Sequence, residues 1–208
     1  MDSSASLRAL LLDLGGVLIV PQNSPRRQSW LDRVGRQNEE FAAWLWSSPL
    51  ARAAMRGELS PAQFWRAVGA ELGLSAKEAD SFGHAYWAGD KLNEVVVFLA
   101  RRAKAHGLLV GVLSNAYGDL NKLLAEHSLL DLFDEVVNSS LEGLTKPDVA
   151  IYHLACSRLG VPPQNTLFID DRHDNVEGAR KAGLHALQYA GEDTVVEATR
   201  LLGLPRSC

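Results

Sequence analysis

Residues Leu7 to Val20 read Leu-Arg-Ala-Leu-Leu-Leu-Asp-Leu-Gly-Gly-Val-Leu-Ile-Val, an apolar run that reaches a single carboxylate, Asp13, and then turns through Gly15 and Gly16. A short apolar run closed by an acid and a Gly-Gly pair predicts a buried strand over Leu7–Asp13 and a tight loop after it. The stretch is too short and too interrupted to span a membrane, which takes about 20 apolar residues. Downstream, strand patterns over Leu108–Leu113, Glu135–Asn138, Thr166–Ile169 and Leu184–Tyr189 alternate with helical ones. Those helices are expected over Leu92–Ala105 and Asp119–His127, from Pro147 to the stop at Gly160, and over Asn175–Ala182 and Asp193–Leu202. Strands separated by crossover helices predict a doubly wound parallel sheet of the Rossmann-like α/β class.

The stretch between the first strand and the helix at Leu92 has a different character. Between residues 21 and 90 the only β-branched residues are Val34 and Val68, and all five tryptophans (Trp30, Trp44, Trp46, Trp65, Trp87) lie there. This composition predicts an all-α insert at 21–90 in an α/β core made of 1–20 and 91–208. Pro21-Gln22-Asn23-Ser24-Pro25 and Gly89-Asp90 are the expected hinges. A chain of 208 residues suits such an arrangement, being long for one domain of about 100–150 residues and short for two. The insert carries eight basic and eight acidic residues, so the core holds the whole net charge of −4. A chain without basic excess is a poor nucleic-acid binder. Cys156 and Cys208 form no disulfide framework, and the N-terminus lacks the pattern of a secretory signal, so a cytoplasmic, non-membrane protein is expected, monomeric or homodimeric.

In open parallel sheets ligands bind beyond the carboxyl ends of the strands, so the residues there carry the chemistry. Asp13-Leu14-Gly15-Gly16 follows the first strand, Ser114-Asn115 the second, Lys146-Pro147 the loop after the third, and Asp170-Asp171 with Asn175 the fourth. Carboxylates gathered at one edge repel one another and any phosphate unless a cation sits among them. Mg²⁺ suits that task, taking hard oxygen ligands and bridging to phosphate. Asp13, the Gly15 carbonyl, Asp170 and Asp171 are the candidate ligands, with Asp171 favoured over Asp170 for direct contact. Lys146 would neutralise the transferring group. Ser114, Asn115 and the Gly16 backbone would donate to its oxygens, while Asp13 attacks phosphorus.

These four motifs, in this order, resemble the haloacid dehalogenase superfamily. The resemblance implies a Rossmann-like core with a helical cap inserted after the first strand, and a hydrolase of small phosphorylated metabolites working through an aspartyl-phosphate. Arg56-Gly57-Glu58-Leu59-Ser60 with Phe64-Trp65 looks like the cap of a subgroup that includes sugar-1-phosphate phosphatases and the phosphatase domain of soluble epoxide hydrolase. The chain departs from the phosphatase pattern at Gly15, where the family usually places a second Asp as general acid. That departure implies a slow enzyme, a substrate with a better leaving group such as an anomeric or acyl phosphate, or a replacement acid among His84, Tyr86 and His173. Two alternatives remain: a 2-haloacid dehalogenase-type hydrolase, in which Asp13 attacks carbon without metal, and a catalytically weak member that acts as a binding protein. Arg26, Arg27, Arg33, Arg36, Arg52 and Arg56 are expected to form a solvated face of the insert, the other reading being a landing surface for an anionic substrate, and Cys156 is expected to be a small buried hydrophobe.

Overall fold

The computed structural model describes residues 6–205; Cys208 lies outside them. In chain order its elements are β1 (Ala9–Leu12), β2 (Ile19–Val20), α1 (Pro25–Arg33), α2 (Asn38–Ser47), α3 (Pro49–Met55), α4 (Pro61–Glu71), α5 (Ala76–Tyr86), β3 (Lys91–Leu92) and α6 (Glu94–Ala105). They continue with β4 (Leu109–Ser114), α7 (Leu120–Glu126), β5 (Glu135–Asn138), α8 (Ser139–Glu142), α9 (Val149–Leu159), β6 (Thr166–Asp170), α10 (His173–Lys181), β7 (His185–Gln188) and α11 (Glu192–Leu201).

One parallel sheet runs in the order β5-β4-β1-β6-β7. The chain leaves the central strand β1 for β4 and β5 on one side, then crosses to β6 and β7 on the other. The order thus reverses at β1, the place where open α/β sheets leave a crevice for ligands. All four residues of β1 are fully buried, because helices cover both faces. Leu10 and Leu12 pack with Val96, Val97 and Ala100 of α6 and Ala198 of α11. Leu11 points the other way, with Phe168, into a cluster holding Ile151 and Tyr152 of α9 and Val176 of α10. This alternation is the period-2 geometry of a strand.

The expected strand Leu7–Asp13 is longer than β1, but ladder bonds extend beyond it at both ends. Arg8 N–H donates to the Asn165 carbonyl (2.7 Å), and Asp13 N–H donates to the Ile169 carbonyl (2.9 Å). Pro147 does not open the next helix as expected: α9 starts at Val149 behind Asp148, an extended N-cap residue. Pro147 packs on α10 instead, so close to Gly178 that a Cβ there would lie 2.5 Å from the Pro147 carbonyl.

Helices α1–α5 lie between β2 and β3, and four of their starts are written in the sequence. Ser24-Pro25, Ser48-Pro49 and Ser60-Pro61 each place a capping hydroxyl before a proline in the first turn, and Ser60/Gln63 and Ser75/Glu78 close capping boxes. Pro25 therefore belongs to α1 and not to a linker. The insert has its own core, with Phe41, Phe64, Trp65, Phe82 and Tyr86 at its centre and Trp30, Trp44 and Trp46 packed around them. The chain enters and leaves through a two-stranded antiparallel ribbon, β2 against β3, which the sequence reading did not contain. Asn93 pins this junction by donating to the Val17 carbonyl (2.9 Å) and to the Tyr189 hydroxyl (2.7 Å).

Candidate active site

Asp13 stands one residue past β1, where the strand order reverses. Its Oδ1 accepts from Leu14 N–H (2.7 Å) and lies 2.8 Å from Lys146 Nζ. Lys146 is buried, and its ammonium also meets Asp170 Oδ2 (2.6 Å) and the Leu113 carbonyl (3.0 Å). Asp170 ends β6 with no solvent exposure; it accepts from Asn175 Nδ2 on both oxygens (3.0 Å) and from Arg172 N–H (2.8 Å). The Asn175 carbonyl in turn accepts from the Tyr152 hydroxyl (2.7 Å), so α9 and α10 together brace Asp170. Asp171 is the exposed member of the group and rests against Gly16. Oxygens of Asp13, Asp170 and Asp171 lie within 4.8 Å of one another.

Asn115 takes a place that its sequence position did not disclose. Its amide bonds the Lys146 backbone at both ends, accepting from Lys146 N–H (2.8 Å) and donating to the Lys146 carbonyl (2.9 Å). The loop after β4 thereby fixes the lysine beneath the crevice, with one amide proton left for a ligand. Ser114 is buried beside it as the last residue of β4.

Three carboxylates around one ammonium leave an excess of negative charge. Burial pushes the Asp13 carboxyl up to about 7; Asp170 adds to the rise, and Lys146 and the Leu14 N–H only partly offset it. Burial likewise raises Asp171, again with a contribution from Asp170. Burial works against the Lys146 charge, but the pull of Asp13 and Asp170 wins and holds its pKa above the ordinary lysine range. A hard divalent cation fits this donor set. Ligand oxygens about 2.1 Å from one ion stand at most about 4.2 Å apart, so the 4.8 Å cluster needs little contraction to hold one.

The helical insert reaches this edge of the sheet. Buried Ser139 accepts from Ala116 N–H (3.0 Å) and donates to the Met55 carbonyl (2.7 Å), joining the end of α3 to the loop that carries Asn115. Gly57, at φ +77°, lets the following turn lie against the Ser140 carbonyl, which a Cβ would approach to 2.2 Å. Tyr117 packs at a tilt on Phe64 (4.6 Å between ring centroids) and stands near Trp46 and Trp87 (6.3 Å each), an aromatic wall shared by insert and sheet edge.

The match to known proteins is decided at this point. A family model described as haloacid dehalogenase-like hydrolase matches residues 7–183, which takes in every strand-end residue above. The chain belongs to the haloacid dehalogenase-like hydrolases. A sesquiterpene phosphatase of Aspergillus oryzae is 26% identical over 200 residues, covering 95% of this hydrolase and 98% of that protein. A (S)-2-haloacid dehalogenase of Burkholderia cepacia is 26% identical over 195 residues, covering 88% and 83%. An enzyme of the same family from Bacteroides thetaiotaomicron, solved with magnesium and inorganic phosphate, superposes with a TM-score of 0.70 at 24% identity, over 90% of this chain and 97% of that one.

Within this haloacid dehalogenase-like hydrolase, residues expected at the site from three separate loops do converge: Lys146 meets Asp13 and Asp170, and Asp171 completes the carboxylate cluster. The three candidate acids are scattered. His84 is exposed on α5 and His173 is exposed at the first residue of α10. Tyr86 is buried in the insert core with the Arg27 guanidinium 3.8 Å above its ring. Arg27 is thus not part of a solvated arginine face; it is buried, because the Tyr86 ring offers its flat cation a partner. Sequence reasoning misses Tyr152 and Ser139, since a Tyr on an apolar helix stripe and a Ser at the start of a short helix carry no local sign of what they bond. Among the described residues no helix is long and apolar enough to cross a membrane.

Proposed function

We propose that this hydrolase is a Mg²⁺-dependent phosphatase that removes phosphate from a small phosphorylated metabolite, a sugar phosphate among the candidates, through an aspartyl-phosphate on Asp13. The observation that carries the reading is a cluster of three carboxylates, two of them on one buried ammonium, which leaves an excess of negative charge that a divalent cation offsets. Dehalogenation without metal has no use for that excess. The magnesium and phosphate held by the Bacteroides relative and the activity named for the Aspergillus one support the same reading.

Asp13 and Asp171 with the Gly15 carbonyl are the groups that would hold Mg²⁺, with Asp170 behind them; when bound, the ion supplies Lewis-acid neutralisation of phosphate charge. Asp13 presents its free carboxylate oxygen to phosphorus while Lys146 holds the other. Lys146 places positive charge, and the Ser114 hydroxyl and the remaining Asn115 proton place donors, around the phosphoryl oxygens; the Gly16 N–H expected beside them is already spent, donating to the Ile19 carbonyl (2.8 Å). Asp170 and Asn175 keep Lys146 in position, and the insert closes over the crevice to exclude water.

The test is phosphate release by the purified protein from p-nitrophenyl phosphate and a sugar 1-phosphate, with Mg²⁺ and with a chelator. Release that requires Mg²⁺ is expected. No release across a broad phosphate panel, or metal-independent halide release from 2-haloacids, overturns the reading.

Gly16 offers a second test. It sits at φ +82°, and a Cβ there would lie 2.5 Å from Asp171 Oδ2. Gly16→Ala both strains the backbone and displaces Asp171. Calorimetric titration is expected to show Mg²⁺ affinity reduced by about 10–100-fold, the range for disturbing the support of a metal ligand. Unchanged affinity would remove Asp171 from the metal site.

A further inference from the structure

We infer that the phosphate removed at this site is carried on an acidic leaving group, an acyl, anhydride, enol or aryl oxygen that departs as its anion, and that simple alkyl phosphates are poor substrates. The inference rests on the phosphatase reading and names the chemistry of the bond that is cleaved.

Its basis is the contrast between two adjacent glycines. Gly16 is required by its left-handed backbone and by Asp171 pressed against it. Gly15 is required by neither: its φ lies outside the left-handed region, and a Cβ there would meet no atom within 4 Å. The fold therefore has room for a side chain two residues beyond the nucleophile, on the same loop, and the sequence puts none there.

The groups that contact Asp13 do not fill the gap. The three Lys146 protons go to Asp13, Asp170 and the Leu113 carbonyl. Asp170 has both oxygens engaged by Lys146, Asn175 and Arg172. Asp13 is the attacking group, and Asp171 serves the metal in the proposed reading.

In the first step an Asp13 oxygen bonds to phosphorus while the bond from phosphorus to the leaving oxygen breaks. That oxygen keeps the bonding pair. An alkoxide needs a proton as it departs, and a positioned donor contributes about 10²–10⁴-fold to such a step. A carboxylate, phosphate, enolate or phenolate leaves as a stable anion and takes its proton later from bulk water. In the second step water attacks phosphorus, the bond to Asp13 breaks, the carboxylate is regenerated, and the water proton leaves with inorganic phosphate. No side chain at position 15 assists that step either, so with a good leaving group the Asp13 phosphate builds up and product appears in a burst.

The experiment measures kcat/KM of the Mg²⁺-loaded protein across aryl phosphates of graded leaving-group acidity, acetyl phosphate, a sugar 1-phosphate and a primary alkyl phosphate, in the parent, Gly15→Asp and Gly15→Asn. In the parent, rates are expected to rise steeply with leaving-group acidity, the alkyl ester trailing by about 10²-fold or more. Gly15→Asp is expected to raise the alkyl ester by about 10²-fold and flatten the series, and Gly15→Asn, equal in size but without the acid, to leave it steep. A flat series in the parent overturns the inference, and one that steepens in His173→Ala or His84→Ala identifies the acid that does so. A steep series in Gly15→Asp overturns the assignment of the missing donor to position 15. Should Gly15→Asp fail to fold, the slope of the parent series decides alone. If no member releases phosphate the phosphatase reading falls, and this inference with it.

Discussion

Replacing Asp13 with asparagine is expected to lower Mg²⁺-dependent phosphate release by about 10⁴-fold or more, the scale seen when a covalent nucleophile is removed. The amide cannot form the phosphoryl bond and is a weaker metal ligand, so both halves of the chemistry are lost together. Folding is expected to move the other way. Burial and the nearby Asp170 hold the Asp13 carboxyl at about 7, against an ordinary 3.8, so the folded chain binds that proton more tightly than the unfolded one. Its contribution to stability is therefore favourable below 3.8 and is lost progressively as pH climbs to 7, above which ionised Asp13 is a cost. In chelated protein the melting temperature of Asp13→Asn should exceed that of the parent at pH 8, with the gap closing as pH falls through 7 towards 4. A variant that loses activity and is destabilised at pH 8 would mean that Asp13 serves the fold and not the reaction.

Lys146→Met is expected to cost both activity and stability. The ammonium is 1% exposed and is the shared partner of Asp13 and Asp170. Removing it leaves Asp170, which has no exposure, as an unpaired buried charge; breaking a buried pair in this way typically costs about 3–5 kcal/mol. For a chain of this size that is a fall in melting temperature of roughly 10 °C. Phosphate release should fall by about 10²–10³-fold or more, because the proposed reaction loses the positive charge that Lys146 holds beside Asp13. The double variant Lys146→Met/Asp170→Asn separates the two effects. It should recover much of the lost stability, since a neutral amide tolerates burial beside Met, and none of the activity. Recovery of activity in the double variant would show that Lys146 acts only by neutralising Asp170.

The sheet was legible because each buried strand announces itself locally, as an apolar run ending at a polar or glycine-rich turn, and the strand-end residues could be collected from those ends alone. Strand order was not legible in that way. Nothing near Asp13 says that β4 and β6 flank it, since pairing of parallel strands is decided by helices tens of residues away. For the same reason the grip of Asn115 on the Lys146 backbone could not be read from either residue; it joins loops 31 positions apart in sequence. Tyr152 and Ser139 likewise act through bonds across the fold. The insert shows the reverse case, in which local signs were present and unused. Its Ser-Pro steps and capping boxes mark where helices α1, α3, α4 and α5 begin, and Pro25 passes for a linker residue only if proline is read as a breaker and not as a first-turn residue. The burial of Arg27 is hidden in the same way, because charge pattern alone does not reveal the Tyr86 ring beneath its guanidinium.

A phosphoryl group carried on Asp13 can be trapped and located. The Mg²⁺-loaded protein is mixed with an aryl phosphate, quenched in acid within the first turnover, digested and mapped by mass. One added phosphoryl group is expected on the peptide that contains Asp13, absent in the chelated protein and in Asp13→Asn. Turnover with no covalent adduct, or an adduct on any other residue, would contradict it.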